Sequence, residues 1–307
     1  MELDRDPGWM SLIRVHAQQH TMVAAGLVLS MLVTVALIIQ GVPRIVTAPW
    51  PSGLSLALLG GAAGLLLTTL GAVPALWMRG LPQRVEDTLL GFAAGMMLAA
   101  SAFSLLLPGI EAAERLAGSA PLGAGIVVTG MALGVMLMLG LDEFTPHEHD
   151  KAGPCGPGNQ RCSRAWLFVF AIALHNLPEG MAIGVSFSQG DMSVGLPLTA
   201  AIALQDLPEG LAVALTLRGA GLRAGTAVLV AMASGVLEPL GALLGAGLSS
   251  GWVFAYPIGL GLAAGAMLFV VSHEVIPETH RNGHQKLATL GLVVGFALMM
   301  VLDTALA

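Results

Sequence analysis

Most of the chemistry this sequence can do sits in two six-residue stretches, HNLPEG at His175 to Gly180 and QDLPEG at Gln205 to Gly210, both inside long apolar runs. On a helix His175 and Glu179 are spaced i, i+4, as are Gln205 and Glu209, so each pair shares a face. Asn176 with Glu179 and Asp206 with Glu209 add i, i+3 pairs on nearly the same faces. A further carboxylate, Glu238, stands alone in the next apolar run. An ionised side chain at the bilayer centre costs ~2.5–3.5 kcal/mol on insertion scales, so these four carboxylates would cost roughly 10–14 kcal/mol if left uncompensated. No Lys or Arg lies at that depth in the same runs, which removes a salt bridge as the compensation. Protons or metal cations remain. Imidazole, carboxylate and amide oxygen suit Zn²⁺, Fe²⁺, Mn²⁺ or Cd²⁺, and the lack of cysteine in the apolar runs argues against Cu⁺.

The elements that position these groups follow from composition. With 55% apolar and 10% charged residues over 307 positions, the chain has the make-up of a membrane protein. Nucleic acid is excluded as a partner; the lipid bilayer is the partner this composition requires. Runs long enough to cross ~30 Å of hydrocarbon fall at about 21–42, 52–78, 86–108, 120–141, 165–187, 194–217, 222–248, 253–276 and 287–305. They predict nine helices in an all-α polytopic fold. The first run is too long for a signal peptide and reads as a retained helix. Of the 13 Lys and Arg residues, 11 fall in one set of alternate loops, leaving Arg44 and Arg115 in the other. By the positive-inside rule the N-terminus, including segment 1–20, is cytoplasmic and the C-terminus lies outside. The only cysteines, Cys155 and Cys162, share the polar loop 142–164 with His147 and His149; no disulfide framework is expected, and the loop is expected to be a flexible metal-collecting or regulatory segment.

On this orientation the fifth and sixth helices are antiparallel, so His175 is expected level with Glu209, and Glu179 level with Gln205 and Asp206. Two adjacent cation sites follow, balanced by four carboxylates. Pro178, Pro208 and Pro239 each remove a helical hydrogen bond beside a buried carboxylate, which predicts a cavity at broken helices. GFAAGMML at Gly91 to Leu98 matches GLAAGAML at Gly261 to Leu268 at six of eight positions, on helices predicted to run in opposite directions, the pattern of an inverted repeat. Glu238 is a candidate ligand of the second site, and Met97 a weaker thioether candidate. His273 and Glu274, followed by Glu278, His280 and His284, suggest a ladder of ligands from the midplane to the cytoplasm.

The paired HNLPEG and QDLPEG stretches resemble the helix signatures of the ZIP (Zrt/Irt-like) metal transporters, of bacterial type. The resemblance covers about 52–306 as the family's eight helices and leaves 21–42 as an extra helix, peripheral or in a subunit contact such as a homodimer. It implies uptake of divalent metal, commonly zinc or iron, into the cytoplasm across the bacterial inner membrane. It also implies metal sites at His175, Asn176, Glu179, Gln205, Asp206 and Glu209, with metal as transported substrate and no catalytic cofactor. Many family members carry a second histidine where this chain has Gln205. Two other classes compete. Clustered carboxylates also serve as relays in proton-coupled transport of other solutes. An intramembrane metalloenzyme is opposed by the lack of H-E-x-x-H and of Glu-x-x-His on these helices, so an enzyme is not expected.

Overall fold

A backbone in lipid has no water to bond, so each apolar run must close its hydrogen bonds within itself. The computed structural model, which describes residues 9–47, 52–145, 147–149, 153–155 and 164–306, shows that outcome. In chain order the helices are α1 (Trp9–Gln19), α2 (Thr21–Val46), α3 (Gly53–Ala72, prolonged by a 3-10 turn, Val73–Leu76), α4 (Gln83–Ala117) and α5 (Ala120–Phe144). They continue as α6 (Arg164–Phe187), α7 (Met192–Gly219), α8 (Ala224–Ser249), α9 (Ala255–Thr279) and α10 (Gln285–Leu306). Among the described residues eight helices are long and apolar enough to cross a membrane. To these α6 adds 24 residues, about 36 Å at ~1.5 Å per residue. The fold is thus all-α and polytopic, as the apolar runs predict.

The structure departs from the expected boundaries in four places. Residues ahead of the first span include an 11-residue helix, α1, where only a segment is expected. Helix α4 runs on to Ala117 instead of stopping near 108: Ala100–Leu106 adopts a π-helical turn, and Pro108 falls in the first turn of the next α-segment, where its missing N–H is not needed. Helix α5 reaches Phe144, so Asp142 and Glu143 belong to its last turn and not to the loop. Within that loop, the strands β1 (His147–His149) and β2 (Gly153–Cys155) pair antiparallel, His147 opposite Cys155, so this part is a short hairpin. Cys162 and the rest of the loop lie outside the described residues, as do the side chains of His147 and His149.

Helix seams follow small residues, as expected where lipid gives no hydrophobic drive and packing must supply the contact. At Gly91 and Gly95 of α4 an added Cβ would lie 2.2 and 1.9 Å from carbonyl oxygens of α10; at Gly261 and Gly265 of α9 it would lie 2.4 and 2.1 Å from those of α5. The two copies of the Gly-Ala repeat therefore make equivalent seams. Each is also followed by a π-helical turn, Ala100–Leu106 after the first copy and Val271–Val275 after the second. Helix α2 packs on α5 and α8, and exposes Met22, Val28, Leu29, Leu32 and Ile39 on its other side.

Candidate metal centre

The reversal between α6 and α7 sets the two LPEG sequences against each other. Gly190 takes the left-handed conformation (φ 73°), and Asp191 caps α7 by accepting the Ser193 N–H at 2.9 Å and its hydroxyl at 2.7 Å. Pro178 and Pro208 sit inside unbroken helices. Pro239 differs: α8 is interrupted at Val236 between Ala224–Gly235 and Leu237–Ser249, and Glu238 stands in the first turn of the second half, where the helix dipole favours a carboxylate.

Ligand atoms of Glu179, Asp206 and Glu209 come within 4.8 Å of one another. Gln205 Nε2 donates to Glu179 Oε1 at 2.5 Å, which turns the other oxygen, Oε2, inward. That atom, Oδ2 of Asp206 and Oε2 of Glu238 are buried and accept no hydrogen bond. Buried anionic oxygens without donors are costly, and among the described residues no Lys or Arg pairs with them. Such a set calls for protons or a metal cation. Glu238 is fully buried; its Oε1 lies 2.9 Å from the Thr68 hydroxyl of α3. Its Oε2 hangs over Gly64, where a Cβ would stand 1.6 Å away and 3.1 Å from Asp206 Oδ2. Only glycine leaves room for the two carboxylates there. The motif glycines act similarly on the backbone: a Cβ at Gly180 would meet the Glu238 carbonyl at 2.1 Å, and one at Gly210 the Thr68 carbonyl at 2.2 Å.

Asn176 is buried in the same helix turn as His175. His175 itself is drawn toward α9, its Nε2 lying 2.8 Å from Glu274 Oε2. Next along α9, exposed His273 lies 3.6 Å from Asp142 of α5. His175, Glu274, His273 and Asp142 thus make two linked pairs running from the carboxylate cluster to the end of the bundle, with Glu274 and His273 both in the π-helical turn. Met97 is buried in the apolar core just ahead of the other π-turn. His284 does not join this row; it binds Asp87, which also accepts from Asn282 and Gln83, and ties α4 to the start of α10.

Thr68, Gly64 and Asp142 are the neighbours that motif spacing misses. A hydroxyl in an apolar run and an acid at a span end are the only signals they carry in sequence. At the opposite end of the bundle a cavity of about 960 Å³ is lined by Ser104, Glu111, Gln189, Asp191, Tyr256 and Asp303 among others, with Ser104 donating to Asp303 at 2.7 Å.

Comparison with known proteins bears on what this cluster is. The family described as ZIP zinc transporter matches residues 146–303, which carry both LPEG sequences and Glu238. The chain is 61% identical over 290 residues to the zinc transporter ZIPB of Bordetella bronchiseptica, covering 94% of each protein. The chain belongs to the ZIP family. It is also 40% identical to the zinc transporter GufA of Myxococcus xanthus, over 83% of this chain and 99% of that one. With the zinc transporter ZupT of Chlorobium luteolum it shares 33% identity, over 81% and 95%. A match over 94% of this chain cannot fit within 52–306, so the likeness to ZIPB extends ahead of α3 into the region of the extra helix. As a ZIP protein the chain is a multi-pass divalent-metal transporter.

Proposed function

We propose that the protein carries Zn²⁺ into the cytoplasm through two adjacent metal positions on α6, α7 and α8, and accepts Fe²⁺, Mn²⁺ and Cd²⁺ at the same positions. His175 and Gln205 serve one ion; Asn176, Asp206 and Glu238 serve the other; Glu179 and Glu209 are shared. Met97, buried in the apolar core, is a weaker thioether candidate. The observation that carries this reading is the set of buried carboxylate oxygens on Glu179, Asp206 and Glu238 that accept no hydrogen bond. Imidazole, amide and carboxylate donors match Zn²⁺, and the names of the relatives point to the same ion.

The loop charge asymmetry supports an N-terminus facing the cytoplasm, and the likeness to bacterial zinc transporters supports residence in a bacterial inner membrane. On that orientation the 960 Å³ cavity is the outer mouth, where Glu111, Asp191 and Asp303 attract cations. Inward release runs along His175, Glu274, His273 and Asp142: an ion leaving His175 meets the Glu274 carboxylate, whose Oε2 lies 2.8 Å from His175 Nε2. The inverted repeat supports alternating access, with α6 and α7 in the moving group.

The test is zinc uptake into proteoliposomes. Each shared carboxylate touches both positions, so Glu179→Ala and Glu209→Ala should each abolish uptake in folded protein. Wild-type uptake by Glu209→Ala would overturn the arrangement.

A further inference from the structure

A second group of metal-type ligands lies outside the carboxylate cluster and its release row. His16 of α1 and His20 are spaced i, i+4 across a helical turn, with the His20 N–H donating to the His16 carbonyl at 3.0 Å. Both rings aim at one oxygen at the end of α5: His16 Nε2 and His20 Nδ1 lie 3.0 and 3.3 Å from Glu143 Oε1. All three ligand atoms fall within 4.8 Å of one another. A tetrahedral zinc site with metal–ligand distances of ~2.0–2.1 Å has ligand–ligand edges of about 3.3 Å; His20 Nδ1 stands at that distance from Glu143 Oε1, and His16 Nε2 slightly inside it, 3.0 Å from both Oε1 and the Glu143 carbonyl oxygen. The rings stack with centroids 4.5 Å apart, and Phe144 meets His16 edge-on at 5.2 Å, so one face of the cluster is fixed by packing. Side-chain exposures of 17, 41 and 28% for His16, His20 and Glu143 leave the other face open for water as a fourth ligand.

We propose that His16, His20 and Glu143 form a peripheral divalent-metal site, of zinc type, that staples α1 to the end of α5. Two imidazoles and a carboxylate with one open position suit Zn²⁺. The site adjoins the release row, because Glu143 follows Asp142, the partner of His273. Metal bound there couples the position of α1 to the helix end past which ions leave.

The experiment uses the full chain in lipid nanodiscs, equilibrated with Zn²⁺ and assayed for metal per protein by elemental analysis. The Glu179→Ala/Glu209→Ala background removes the two shared ligands of the membrane cluster and should still retain one Zn²⁺ per chain. Adding His16→Gln and His20→Gln to that background should remove it, and Glu143→Gln should do the same by a separate route that leaves both imidazoles in place. In the otherwise wild-type chain the His16→Gln/His20→Gln pair should lose one equivalent while zinc uptake persists, so failure of this site and failure of the membrane cluster give different patterns. No Zn²⁺ in the background protein, or an unchanged content after both histidines are replaced, would overturn the proposal.

Discussion

Replacing Gly64 with alanine removes no ligand, yet it should disable one of the two proposed metal positions. The new Cβ would stand 1.6 Å from Glu238 Oε2, so the carboxylate must retreat by at least about 1.4 Å to reach the 3.0 Å that real Cβ contacts respect, whereas a metal ligand tolerates only ~0.2 Å. The clashing atom is the far end of a flexible side chain, so the displacement is cheap for the fold and costly for the site. Loss of a supporting contact around a metal typically costs ~10–100-fold in affinity, or roughly 1.4–2.8 kcal/mol. Gly64→Ala should therefore bind one Zn²⁺ normally and the other at least tenfold more weakly, like Glu238→Ala, while melting near the wild-type temperature. Calorimetric titration of purified protein with Zn²⁺, beside a thermal melt, measures both. Two ions bound at wild-type affinity would show that Glu238 does not hold a metal where the structure puts it.

Metal affinity should also fall as pH drops, because carboxylates and His175 must be deprotonated to bind; an affinity constant from neutral to acidic pH, followed by equilibrium dialysis, would remove them from the site. Cysteine pairs that lock α6 or α7 to α4 or α9 should stop uptake if the metal-bearing helices slide, and several verified crosslinks with unimpaired flux would exclude sliding.

The helices were legible because apolar runs of spanning length have no alternative in lipid, and the ligands on α6 and α7 because i, i+4 spacing fixes a face. What could not be read is what depends on a second helix. Glu274 looked like a distant rung of a ladder and is in fact in contact with His175, a meeting of α6 and α9 that neither local sequence encodes. Gly64 was one glycine among 40 until the carboxylate above it was placed. The π-helical turns have no compositional mark: Ala100–Leu106 reads like any apolar segment. The apolar run ends near 108, but beside the π-turn Pro108 is a first-turn residue and the helix continues to Ala117.

These placements put the carboxylate cluster and the row beyond it on two different sets of helices. The carboxylates Glu179, Asp206, Glu209 and Glu238, with their props Thr68 and Gly64, all lie on α3, α6, α7 and α8, joined by backbone contacts at Gly180 and Gly210. Met97, Asp142, His273 and Glu274 lie on α4, α5 and α9, which share with α10 the seams at Gly91, Gly95, Gly261 and Gly265. The contact from His175 to Glu274 crosses from one set to the other. A displacement of the first set as a body would carry its carboxylates intact and break this contact; the seams at Gly91, Gly95, Gly261 and Gly265 would stay closed, while Gly259 of α9 would have to part from Ser249 and Leu248 of α8. Under the proposed alternating access, metal retention and metal release would then be governed by different contacts: an ion would stay bound through the movement and lose its hold where His175 reaches Glu274.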